Sequence, residues 1–152
     1  MPTLKEQLRA DLTTAMKARD ETRTRTLRMA LTSITNEEVS GAAAHDLTDD
    51  EIIKILTREA RRRREAATAF AEAGRADQAA AERAEEDVLS AYLPAQLDDE
   101  ELTGLVAAAI AETGASGPGG IGQVMKAVTP KVAGRADGGR VAAMVRSQLT
   151  SS

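Results

Sequence analysis

Residues 48–74 read TDDEIIKILTREARRRREAATAFAEAG, and this stretch decides the fold. Thr48 followed three positions later by Glu51 is a capping box. The threonine oxygen accepts from the orphan N–H groups of a helix start, and the carboxylate reaches back to the cap. Neither proline nor glycine interrupts the chain until Gly74, where the helix is expected to stop. At 3.6 residues per turn, Ile52, Leu56, Ala60, Ala67 and Phe70 share one face. This is a long amphipathic helix, and what lies around it follows the same pattern.

Prolines stand only at positions 2, 94, 118 and 130, so none breaks residues 3–93. Thr3 and Glu6 form another capping box. Leu4, Leu8, Leu12 and Ala15/Met16 follow as one apolar stripe, predicting a first helix to about Arg19. A second helix carries Leu27, Leu31 and Ile34 and ends near Gly41; AAAHD (42–46) is a loop. A fourth, about Asp77 to Tyr92, has Val88, Leu89 and Tyr92 as its apolar residues. The residue before a proline disfavours helix, so the division falls at Leu93-Pro94. This predicts an N-terminal helical region, 1–93, and a small C-terminal helical domain, 94–152. In the latter, Asp98-Asp99-Glu100-Glu101 caps a helix bearing Leu102, Leu105, Val106, Ala109 and Ile110. Gly114 ends it. Val124, Met125 and Val128 mark a short helix expected to stop before Pro130. Asp137 caps a last one with Val141, Met144/Val145 and Leu149 inward. Alanine occurs 30 times and the only aromatics are Phe70 and Tyr92, so strand formers are scarce. The fold class is all-α, with a narrow core packed closely through alanine.

Composition removes several functions. With no cysteine there are no disulfides, thiolate metal sites or cysteine nucleophiles. The single histidine, His45, cannot make a metal cage alone. No apolar run approaches the ~20 residues that cross a bilayer, and MPTLKEQLRADL is no signal peptide. The expectation is a soluble cytoplasmic protein without membrane association, metal or cofactor.

The 152 residues carry a net charge of −4, so nucleic acid could be met only through a local patch. Two patches qualify. Lys54, Arg58, Arg61 and Arg62 fall on one arc of about 100° of the long helix, while Arg63 projects among its apolar residues. The stripe reads either as a solvated face with Arg61–Glu65 pairing or as a phosphate- or partner-docking surface. Arg63 would snorkel or pair with an acid on a neighbouring helix. The second patch is the tail. Residues 82–101 hold eight acids and one base, whereas 114–152 hold five bases and one acid, a local excess of +4. Such a tail could meet RNA despite the negative total, because exposed charges are screened beyond about 8 Å. GPGGIG (117–122) satisfies G-x-G-x-x-G. However, a helix precedes it and no βαβ unit surrounds it, so it reads as a turn and helix start whose N–H groups could at most hold one phosphate. No nucleophile–base–orienter set and no convergent carboxylate pair appears, so no catalytic residue is assigned.

The stretches FAEAGRADQAAAERAEEDVLSAYLPAQLDDEEL (70–102), IGQVMKAVTPKVAGRADGGRV (121–141) and LRMALTSITNEEV (27–39) resemble the GatB/YqeY family over nearly the whole chain. The most specific parts are Tyr92-Leu93-Pro94 with Gln96-Leu97, and Gly134-Arg135-Ala136-Asp137-Gly138. The resemblance implies a multi-helix N-terminal region, a small C-terminal helical domain, and kinship with the tail of the GatB subunit of tRNA-dependent amidotransferases. In those enzymes the tail helps hold the tRNA. A carbon–nitrogen ligase label, with glutamine as amido donor, would then be inherited without this chain performing the chemistry. Lys131 and Arg135 match the family's basic loop and become the first RNA-contact candidates, followed by Lys126, Arg140 and Arg146. Gln123 stands where many relatives have lysine, which removes one phosphate contact. The expected partner is tRNA or a tRNA-handling complex. The alternative is a protein-interaction module with no nucleic-acid role, the acidic stretch and arginine stripe serving as docking surfaces, in one arrangement for a homodimer.

Overall fold

A computed structural model describes residues 2–151. They form seven α-helices: α1 (Leu4–Lys17), α2 (Glu21–Glu38), α3 (Asp49–Glu72), α4 (Ala76–Ser90), α5 (Asp99–Thr113), α6 (Ile121–Val132) and α7 (Gly138–Ser151). No described residue lies in a strand, so the fold is all-α. No described helix is long and apolar enough to cross a membrane. The chain packs as two compact units, Met1–Leu93 and Pro94–Ser152.

In the first unit the caps form as their sequence demands. Thr3–Glu6 and Thr48–Glu51 are both closed capping boxes, and Asp20 accepts from the Arg23 N–H at the start of α2. Leu8, Leu27, Ile34, Ile52, Leu56 and Leu89 form the centre of the core. Phe70, expected on the inward face of α3, is only half-buried. Met16 departs from the expected stripe. Ala15, one full heptad from Leu8, is buried, whereas Met16 lies 48% exposed. One residue is about 100° of rotation, enough to turn a side chain from core to solvent. The alanine-lined core is also narrower in scope than expected. Only seven of the 30 alanines are buried, and three of these, Ala60, Ala67 and Ala79, lie on α3 and α4.

The second unit is built around Leu102, Val106, Val124, Val128, Val145 and Leu149, all essentially inaccessible. Asp98 and Glu101 close a third capping box, and Gly114 ends α5 in the left-handed conformation at φ 66°. Pro118–Gly120 form one 3-10 turn that runs directly into α6. A Cβ at Gly120 would stand 2.8 Å from that of Ala115, so only glycine lets the turn close against it. GPGGIG is thus a turn and helix start following a helix. The expected stop before Pro130 is wrong: α6 runs two residues past it, to Val132. Proline in the last turn forfeits one N–H bond, but Val132 completes a Val124–Val128–Val132 stripe that is buried throughout. Burying that side chain offsets the loss, at about 1.5–3 kcal/mol.

Candidate nucleic-acid interface

Three of the five tail cations are engaged within their own unit. Lys131 Nζ lies 2.7 Å from Glu112 Oε2 on α5, and its charge and hydrogen bond hold the Glu112 carboxyl below its usual pKa. Arg135 turns inward on its own chain: Nε donates to the Val132 carbonyl and Nη2 to that of Lys131. Arg140 reaches back to the start of the unit, donating to the Leu97 carbonyl and to Asp99 Oδ1, both at 2.7 Å. Lys126 and Arg146 are exposed and have no ion pair or hydrogen bond among the described residues.

Leu97 explains why the two most specific sequence signatures coexist. Its N–H donates to the Arg135 carbonyl at 2.8 Å, its C=O accepts from Arg140, and its side chain is buried. The Gln96-Leu97 segment is therefore fastened at both backbone groups by the Gly134–Arg140 segment. Arg135 and Arg140 do structural work first. Their cationic groups are left only partly free for a ligand.

On α3 the arginine run splits by direction. Lys54, Arg58, Arg61 and Arg62 are exposed. Lys54 and Arg58 line a shallow open cleft with Glu37, Glu51 and Ile55, and neither forms an ion pair among the described residues. Arg62 makes only a long contact, 3.5 Å, to Glu59.

Arg63 is buried and pairs with an acid on a neighbouring helix as well as with one on its own. Nη1 donates to Glu59 Oε2 and to the Glu59 carbonyl, each at 3.0 Å. Nε lies 3.5 Å from Glu85 Oε2 on α4, inside ion-pair reach but without hydrogen-bond geometry. Glu59 also accepts from the Ser33 hydroxyl, and Glu85 from Arg25, so α2, α3 and α4 meet in one ionic cluster. Arg64 adds a 2.7 Å bridge to Glu86.

Tyr92, of the first signature, belongs to the same unit. Its hydroxyl donates to Asp11 Oδ2 at 2.5 Å and ties the end of α4 to α1. Burial, then the hydrogen bond and charge of Asp11, push its pKa up to about 12. The acidic stretch is accordingly much engaged: Glu85, Glu86 and Asp99 hold arginines, while Asp98 and Glu101 cap α5. Among the described residues no three His, Cys, Asp or Glu side chains cluster as metal ligands.

The sequence missed the exposure of Met16 and Met29 and the cation Arg28 against Met16. The available signal was the position of both methionines about 100° off the buried lines of their helices. No curated protein matches the chain. The pattern that defines Yqey-like proteins matches residues 5–149, and the chain belongs to that family.

Proposed function

We propose that this chain is a cytoplasmic, non-catalytic accessory module that binds tRNA, or a complex that handles it, through phosphate contacts. Family membership supports the reading through the kinship of this family with the amidotransferase tail. The observation that carries it is the α3 stripe. Lys54, Arg58, Arg61 and Arg62 lie exposed on one arc over about 12 Å of helix. In the second unit Lys126 and Arg146 offer unengaged charge. Lys131, Arg135 and Arg140 contribute once their internal contacts are discounted. The ligase label is one of kinship, and no step of that reaction is assigned to a residue here. With one tyrosine and one phenylalanine, backbone recognition fits better than base stacking.

Binding of the nuclease-treated protein to bulk tRNA at several salt concentrations tests this. Three to five neutralised phosphates predict a log K against log salt slope of about −3 to −4.5. Lys54→Glu/Arg58→Glu and Lys126→Glu/Arg146→Glu should each flatten the slope. Lys131→Glu/Arg135→Glu should weaken binding less. A flat salt response, or binding indifferent to all three variants, refutes the reading. The alternative of a protein-interaction module is favoured by one observation, the exposure of Met16 and Met29.

A further inference from the structure

Two methionines on α1 and α2 are left out of the core. Met16 is 48% and Met29 47% exposed. Arg28 Nη2 lies 3.7 Å from Met16 Sδ, and Arg28 and Met29 line an open cleft on α2 together with Glu21, Thr24 and Arg25; Met29 Sδ accepts in turn from Arg63 Nη2 at 3.7 Å. Arg28 has no carboxylate partner among the described residues. One exposed methionine is ordinary; two on neighbouring helices, with a guanidinium that has no carboxylate partner beside one of them, make a surface with a chemical character.

The charge around them is positive in excess, with Glu21 as the one acid lining the cleft. Residues 9–28 hold six bases and three acids. Asp11 is occupied by the Tyr92 hydroxyl and Asp20 caps α2, which leaves Glu21. Arg25 pairs with Glu85 through Nε at 3.0 Å, yet its side chain stays 54% exposed. A visitor therefore meets two half-exposed thioethers beside a net positive charge, with Arg28 and Arg25 outweighing Glu21.

We propose that this α1–α2 face docks an acidic amphipathic helix of a partner protein. The apolar side of that helix rests on Met16 and Met29, and its carboxylates meet Arg25 and Arg28. Thioethers adapt to irregular apolar surfaces, and the flanking arginines select an acidic rather than a basic helix. The inference does not rest on the tRNA reading. RNA would be drawn to the same cations, but its phosphates gain nothing from thioethers.

Methyl-labelled methionine in the full chain gives the readout, with Met125 and Met144 of the second unit as internal references. The probe is a helix-forming peptide of Leu and Glu with all leucines on one face; a scrambled peptide of the same composition is the control. Saturable shifts of the Met16 and Met29 methyls are expected with the first peptide only. Met16→Ala/Met29→Ala and Arg28→Glu should each weaken binding about tenfold, a change of about 1.4 kcal/mol. All three positions are exposed, and the wild-type titration stands on its own should a variant fail to fold. The proposal is overturned by unmoved methyls, by equal binding of the scrambled peptide, by methionine-independent binding, or by tRNA shifting these methyls where the peptide does not.

Discussion

Replacing Arg63 by methionine isolates the energetics of the buried ionic cluster. The substitution keeps most of the aliphatic stem and removes the charge, so packing loss is small. What remains is Glu59, 8% exposed, without its 3.0 Å partner, and Glu85 without its second arginine. Removing one member of a buried pair costs about 3–5 kcal/mol, because the other charge stays out of water. Glu59 retains Ser33 at 3.3 Å and a long contact to Arg62, and Glu85 retains Arg25. The lower end, about 3 kcal/mol, is therefore expected. For a unit of this size that is roughly 15 °C in Tm. Tyr92 is the only tyrosine, there is no tryptophan, and Tyr92 lies in the first unit. Its fluorescence during urea unfolding thus reports this unit without interference. Arg62→Met, one position along and 66% exposed, should cost about 0.5 kcal/mol or less. Combining Arg63→Met with Glu59→Leu should restore at least half of the loss, since the stranded carboxylate is gone. Equal losses for Arg62→Met and Arg63→Met, or no recovery in the double variant, would refute the reasoning.

Arg140→Ala strands the Leu97 carbonyl, a loss of about 1–3 kcal/mol, and should speed hydrogen exchange at the Leu97 amide about tenfold or more. An unchanged Leu97 amide would mean that Arg140 is not a fastener. The raised Tyr92 pKa has a definite sign: the folded state holds the phenolic proton more tightly than the unfolded chain. First-unit stability is therefore unaffected by this group below about pH 10 and falls as pH rises from 10 towards 12. Absorbance titration should place the tyrosinate midpoint near 12, and Asp11→Asn should move it down towards 10. Ala133 closes α6 at φ 50°, a left-handed conformation that a Cβ disfavours. Ala133→Gly should stabilise the second unit by about 0.5–1 kcal/mol in denaturant unfolding, and destabilisation would contradict the assignment.

Local chemistry was legible in the sequence. Two capping boxes, the acidic cap at Asp98, the stop at Gly114 and most of the inward face of α3 follow from residues within a turn or two of one another. Where reading failed, a distant contact outweighed a local rule. The α6 helix continues past Pro130 because Val132 has a core to enter, which no local pattern states. The α1 stripe admitted two neighbours at its end, Ala15 and Met16, and the fold buries Ala15 alone.

The candidate site was harder to read, because a cation's availability depends on partners far along the chain. Arg140 meets a carbonyl 43 residues away, and Arg25 a carboxylate 60 away. The acidic run at residues 82–101, one of the two docking surfaces of the protein-interaction alternative, supplies internal counter-charge at several of its positions. Glu85 and Glu86 receive arginines from α2 and α3, and Asp99 receives Arg140. The same accounting divides Arg61 to Arg64 by role. A helix turns about 100° per residue, so four consecutive arginines cannot act together. Arg63 and Arg64 clamp α3 to α4, while Arg61 and Arg62 stay on the outer arc with Lys54 and Arg58. Mutating the run as a block would therefore confound stability with binding, and only substitutions confined to the outer arc test an RNA contact.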